Sequence, residues 1–205
     1  MKNDIGKRIA AGVCGALLAG IVACQQAEAG APVAGAYSRT FTSPTNLNGV
    51  AVSGWVSFYS ATGGVEFVRL TTNQLAWGRT PLPANTGISF TPDGKPKWCF
   101  LGSDYEIKGH LFNGGGHDWM TCFYPNGELE SGGLVHVEVI DGIPCEAAAK
   151  GMWGKHPRTY FYENGKLKSA QTAVTFRYRG QVIEKGERIS LEPDGALKSI
   201  GKNRD

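Results

Sequence analysis

Trp119–Glu130 reads W-M-T-C-F-Y-P-N-G-E-L-E, and the fold turns on it. Pro125-Asn126-Gly127 separates two short runs in which apolar and polar residues alternate. Proline presets φ near about −65°, asparagine tolerates the following turn position, and glycine accepts a positive φ without a Cβ clash. A two-residue Asn-Gly turn would put Pro125 where the ladder needs an N–H, which proline lacks. The spacing therefore predicts a three-residue loop, a type I turn closed by a glycine bulge. That register pairs Tyr124 with Glu128, Phe123 with Leu129, Cys122 with Glu130 and Thr121 with Ser131. Phe123 and Leu129 then share one face of the sheet. Such a pair contributes roughly 0.2–1 kcal/mol beyond Ala–Ala, with burial in addition.

Looser copies lie at Val56–Val65, Ile88–Pro96, Thr159–Leu167 and Ile189–Leu197. The same register sets Phe161 opposite Leu167, Leu191 opposite Leu197, Phe90 opposite Pro96 and, with one extra loop residue, Phe58 opposite Val65. A second glycine follows fifteen residues after the turn glycine in four copies: Gly78, Gly109, Gly142 and Gly180. Leu70, Leu101 and Leu134 stand seven residues after theirs, and Thr172 breaks that column. Internal repetition of this kind points to an array of one supersecondary unit.

Between the turns the runs alternate and favour β-branched and aromatic residues, as in Val135–Ile140 and Val174–Tyr178. The expected fold class is all-β, an antiparallel meander of repeated β-hairpins after an N-terminal signal segment. It would form a curved repeat sheet, or a sandwich or barrel closed from one. The units expected are 54–86, 87–118, 119–157, 158–187 and a bare terminal hairpin at 188–201, together one domain over 54–201.

Met1–Arg8 carries Lys2, Lys7 and Arg8 against one Asp4, and Ile9–Cys24 follows with no charge in 16 residues. That run is shorter than the about 20 residues of a membrane span and suits a secretory signal. Ile21-Val22-Ala23-Cys24 resembles the lipobox of bacterial lipoproteins, which makes 1–24 a signal peptide and Cys24 the lipidated first residue. Ala27-Glu28-Ala29 offers cleavage after residue 29 instead. Mass spectrometry of the mature N-terminus is expected to find an acylated Cys24; an unmodified chain starting at Gly30 would end that assignment. Residues 25–53, rich in Ala, Gly, Ser, Thr and Pro, read as a flexible tether. The expected location is the bacterial cell envelope, as an outer-membrane lipoprotein or in the periplasm, with membrane contact only through the lipid.

The full chain has 21 basic and 18 acidic residues, so no basic field exists to hold a nucleic acid. The balance is uneven: Gln25–Gly154 carries 7 basic and 11 acidic residues, Lys155–Asp205 11 and 6. Beyond the signal three cysteines remain, an odd number for an oxidising compartment. The hairpin register puts Cys99 and Cys122 on the face opposite the Phe/Leu pairs, so these two are the expected disulfide, with Cys145 left as a thiol.

The iterated pattern aromatic-x-x-Asn/Asp-Gly-Lys/Glu-Leu resembles the MORN repeat and its bacterial variants. Phe123–Leu129 and Phe161–Leu167 carry the likeness best, and Leu191–Leu197 follows. The resemblance implies a sheet of hairpins serving as scaffold or binding surface, and some bacterial variants are described as antitoxin-like. It brings no catalytic residues.

Candidate chemistry is sparse. His110, His117, Asp118 and Cys122 fall within thirteen residues but match no metal-ligand spacing, so no metal is expected there. Gly114-Gly115-Gly116 precedes a strand rather than the helix a phosphate loop requires. His110, His136 and His156 have no marked nucleophile to serve. Tyr59, Tyr124 and Tyr162 each follow the Phe of their unit and should point away from the Phe/Leu core. They form either a binding face or a second core. The expectation is a non-enzymatic binding or structural module without cofactor, its partner another envelope protein or a glycan. The alternatives are an antitoxin- or immunity-like protein binding a partner protein, and a hydrolase or metal-dependent enzyme.

Overall fold

The computed structural model describes residues 37–116, 119–148 and 156–202, all within the unit Ala31–Asp205. Cys24 and the alternative cleavage site after residue 29 lie outside the described residues. There is no helix among the described residues; the structure is all-β. The chain opens with β1 (Tyr37–Leu47), β2 (Val50–Phe58) and β3 (Val65–Arg69), then the short strands β4 (Gln74–Ala76) and β5 (Thr80–Leu82). β6 (Gly87–Phe90) and β7 (Pro96–Phe100) precede the short β8 (Tyr105–Ile107) and β9 (His110–Phe112). β10 (Met120–Phe123) and β11 (Leu129–Gly132) precede the short β12 (Glu138–Ile140) and β13 (Ile143–Cys145). β14 (Thr159–Phe161) and β15 (Leu167–Gln171) precede β16 (Phe176–Tyr178) and β17 (Gln181–Ile183), and β18 (Glu187–Leu191) and β19 (Leu197–Lys202) end the chain.

The longer strands form one antiparallel meander of 11 strands, in the order β1-β2-β3-β6-β7-β10-β11-β14-β15-β18-β19. β1 and β19 are its two edges, so the sheet is open rather than a closed barrel. Residues 37–53, expected in the tether, supply β1 and the start of β2. Tyr37 stacks on Phe58 at 5.0 Å and 9°, and the edge strand is thereby tied to the core. The short strands pair off as four two-stranded ribbons, β4-β5, β8-β9, β12-β13 and β16-β17.

These ribbons cover one face of the main sheet. Their inward residues Ala76, Leu82, Ile107, Phe112, Ile140, Ile143 and Ile183 join Val56, Ile88, Phe90, Phe123, Phe161, Leu167 and Ile189 in one buried cluster. The outward ribbon residues Leu75, Val139 and Val182 stay exposed. The glycine fifteen residues after each turn glycine is thus the turn of a ribbon. Lys108-Gly109, Asp141-Gly142 and Arg179-Gly180 all have positive φ, the backbone of a two-residue primed turn.

In the main sheet Tyr124 N–H donates to Glu128 O and Gly127 N–H to Tyr124 O, both at 2.8 Å, and Phe123 faces Leu129. The register then shifts: Cys122 faces Ser131, not Glu130. The same shift follows the first pair of the other four hairpins, and it leaves Glu66, Lys97, Glu130, Lys168 and Lys198 as the extra residues. All five are charged. A bulge sends the strand back onto the opposite alternation, so Cys99 faces Ile88 in the core while Cys122 faces Trp98 on the other side.

That overturns the disulfide: two cysteines offset by one residue across neighbouring strands project to opposite faces. Cys99, Cys122 and Cys145 are free thiols. Burial pushes the Cys99 thiol well above its ordinary value, helped by the nearby Cys122. Burial also pushes Cys145 up to about 12, with Glu138 and Asp141 adding to the effect. Both are packing residues in their environment.

Contacts also link units that are not adjacent in sequence. Trp77, in the first ribbon's turn, packs on Phe123 at 5.1 Å, and Thr80 Oγ1 donates to Gly127 O at 3.0 Å. Glu128 receives both Lys108 and Arg79 from two ribbon turns, and the Lys108 ammonium first, then the Arg79 guanidinium, holds its carboxyl below the usual range.

Candidate binding face

The face of the main sheet turned away from the ribbons is covered by no other strand among the described residues. Register carries one lateral row across it, one residue per strand: Ser38, Ser57, Phe67, Ser89, Trp98, Cys122, Ser131, Tyr160, Ser169, Ser190 and Ser199. Strands lie about 4.8 Å apart, so the row runs across the sheet as a shallow trough of small side chains broken by three aromatic ones. Half of this pattern is visible in sequence, as the residue before each core Phe or Leu: Ser57, Ser89, Cys122, Tyr160 and Ser190. The other half depends on the bulges, which no alternation rule locates.

The aromatic residues gather at the β2–β7 end. Trp55 and Phe67 approach at 6.3 Å, Phe67 and Trp98 at 6.3 Å, and Trp98 and Phe100 at 4.9 Å, with interplanar angles of 54°, 49° and 57°. Trp55 is 52% exposed, and Phe67, Trp98 and Phe100 are half-buried. Gly87 makes the cluster possible, because a Cβ there would stand 2.5 Å from Phe67 Cζ. Beside the rings opens a cleft of about 260 Å³, with Phe67, Phe100, Arg69 and Gly115 among its walls. Arg69 donates to Asn85 O at 3.3 Å and puts a guanidinium at its rim. The cleft is smaller than the about 300–1,000 Å³ of most small-molecule pockets, so the exposed rings, not the cleft, offer the larger contact surface here.

The residues singled out from sequence stand elsewhere. Tyr59, Tyr124 and Tyr162 lie at the turn edge, and each hydroxyl donates to the backbone carbonyl at the end of a strand in the next hairpin: Phe90 O at 2.6 Å, Phe161 O at 2.8 Å and Leu191 O at 2.7 Å. They are struts between hairpins, each net contribution about 1 kcal/mol. Burial raises the Tyr59 and Tyr124 phenols, with Glu66 and Glu130 adding to the respective shifts.

Of the four candidate metal ligands, the two among the described residues, His110 and Cys122, lie on different faces of the main sheet. His110 belongs to a ribbon on the core side, where Nδ1 meets Glu138 Oε2 at 2.9 Å and the ring stacks on Phe161 at 5.4 Å. Cys122 lies on the opposite face of the sheet, and His117 and Asp118 fall outside the described residues. His136 Nε2 reaches the same Glu138 at 3.5 Å, and the His156 ring lies 4.3 Å from Trp119, tilted by 44°. Neither imidazole has a hydroxyl or thiol nucleophile among these partners.

Compared with known proteins, the chain matches no family model, no curated protein sequence and no solved structure.

Proposed function

We propose that this chain is an exported, envelope-associated binding module, non-enzymatic and built from a repeated unit of one long hairpin and one ribbon. Its ligand lies on the open face of the main sheet. One observation carries this: Trp55, Phe67, Trp98 and Phe100 form a connected aromatic surface that the fold leaves half-exposed beside a cleft. A core would have covered these rings, and burial of that much aromatic surface is the main source of binding energy available on this face. The apolar residues needed for stability already have their cover in the ribbon layer, so the open aromatics serve no packing role of equal size. Export and the lipid at Cys24 rest on Met1–Cys24, and they direct the choice of ligand to envelope components. Rings beside a rim of guanidinium and backbone groups suit a glycan, whose sugar faces stack and whose hydroxyls take hydrogen bonds.

The test is a titration with soluble fragments of envelope glycan, followed by tryptophan fluorescence and by calorimetry. Trp98→Ala is expected to weaken binding about 30-fold, or about 2 kcal/mol, as for a central aromatic anchor. Tyr124→Phe, which alters only a strut, should leave affinity unchanged. Binding that survives loss of Trp98 and Phe67 together would remove the aromatic surface from the site.

A further inference from the structure

Further along the same face two arginines converge on one ring. Arg158 precedes β14 and Arg188 lies in β18; each stands three residues before the core residue of its hairpin, Phe161 or Leu191. Trp55, Gly87 and Met120 occupy that position in the other hairpins. The guanidinium carbons lie 6.0 Å and 5.5 Å from the Tyr160 ring centroid. Arg158 Nη2 donates to Ser131 Oγ at 2.8 Å and to Cys122 Sγ at 3.2 Å. Arg188 Nη1 donates to Ser169 Oγ at 3.4 Å, and Ser169 gives its own proton to Ile189 O at 2.8 Å. Ser190 Oγ lies 3.3 Å from Ser169 Oγ.

The charges around this cluster do not balance. Arg79, Lys95, Lys108 and Lys198 each hold a carboxylate. Among the described residues neither Arg158 nor Arg188 has one, and the buried Arg158 Nε has no hydrogen-bond partner there either. Both arginines are half-buried. Placing two like charges beside one ring costs free energy through desolvation and repulsion, which the ring's quadrupole offsets only in part. An oxyanion between them would remove both costs. The guanidinium fork matches the oxygens of a carboxylate or a phosphate, and the serines, whose oxygens accept from both arginines, fix the two forks in place.

We propose that Arg158 and Arg188, held beside the Tyr160 ring by Ser131 and Ser169, form a site for the carboxylate or phosphate group of a ligand. The site shares no residue with the aromatic cleft, so either can fail without the other.

The test uses the full chain and inorganic phosphate at constant ionic strength, read by NMR on the arginine Nε–H signals and by calorimetry. Saturable shifts of the Arg158 and Arg188 signals are expected in the unaltered protein, together with a phosphate-dependent rise in Tm. Arg188→Gln and Arg158→Gln should each weaken binding by about tenfold or more, while Lys97→Gln, an exposed lysine elsewhere, should change it by less than about twofold. Oligogalacturonate and phosphatidylglycerol vesicles identify the source of the group. Tighter binding of either, with the same arginine dependence, assigns the group to an acidic glycan or a lipid headgroup; phosphate binding alone assigns a free ion. The proposal is overturned if neither arginine signal shifts saturably with any of the three probes. Equal binding by the Arg158→Gln/Arg188→Gln double variant, folded by circular dichroism, would overturn it too.

Discussion

Phe161→Ala should be among the most damaging single substitutions in this protein, costing about 3–5 kcal/mol against a total stability of about 5–15 kcal/mol. Phe161 is 1% exposed and stands opposite Leu167 in the main sheet. The Phe112 ring meets it edge-on at 6.2 Å and 77°, and the His110 ring lies nearly parallel to it at 5.4 Å. Both neighbours belong to the ribbon β8-β9, so truncation opens a cavity at the junction of the two layers and loosens the ribbon with it. Tyr160, one residue earlier, points to the open face. Tyr160→Ala should cost less by about 2 kcal/mol, since a half-buried ring on an uncovered face leaves no closed cavity. Reversible denaturant melts of the two variants give the comparison. Equal losses would mean that the second face is also a core, and the binding surface assigned to it would lose its basis.

What could be read from the sequence was local. The Phe123/Leu129 facing pair and the turn between them follow from three adjacent residues, Pro125-Asn126-Gly127, because turn chemistry acts over that range. The glycine column at Gly78, Gly109, Gly142 and Gly180 was visible as a period but not as a second hairpin. Val135–Ile140 alternates and reads as one strand, yet only Glu138–Ile140 pairs, and its partner Ile143–Cys145 is three residues long, too short for alternation to announce it. The bulge was illegible for another reason. Glu130 or Lys168 looks like an ordinary outward residue of an alternating strand, and only its recurrence as a charge after the core residue in all five hairpins marks it. Missing that single extra residue misplaced Cys99 and produced the false disulfide. β1 was hidden by composition: Ser43-Pro44-Thr45 reads as linker, yet the structure accommodates it at a register shift between Phe41 and Thr45 on an edge strand. The binding face depends on all of these at once, so Trp55 with Trp98, or Arg158 with Arg188, could be brought together only by the register across many strands.

Gly127→Val is expected to cost more than Gly165→Val, although the two glycines hold equivalent turn positions with φ of +82° each. A β-branched residue forced to positive φ is strained by about 1–3 kcal/mol, and that cost falls on both. At Gly165 nothing stands within 4 Å of an added Cβ, so strain is the whole effect. At Gly127 the Cβ would lie 3.2 Å from Trp77 Cβ and 3.3 Å from Trp77 Cε3, and the valine methyls would reach further into the ring. Overpacking of that kind adds about 1–3 kcal/mol. It also pushes on the contact that holds the first ribbon to Phe123 and on the bond from Thr80 to the Gly127 carbonyl. Gly132 separates the two causes. It lacks a positive φ, but a Cβ there would stand 2.5 Å from Phe112 Cδ1. Gly132→Val should therefore be costly through packing alone, whereas a scheme in which only turn glycines matter makes it mild. Denaturant midpoints for the three variants decide the matter. Losses ordered Gly127 above Gly165, with Gly132 also clearly destabilised, are what a ribbon layer pressed onto the sheet requires. A neutral Gly132→Val would falsify the tight packing of Phe112 on β11, and with it the close approach of the two layers at that point.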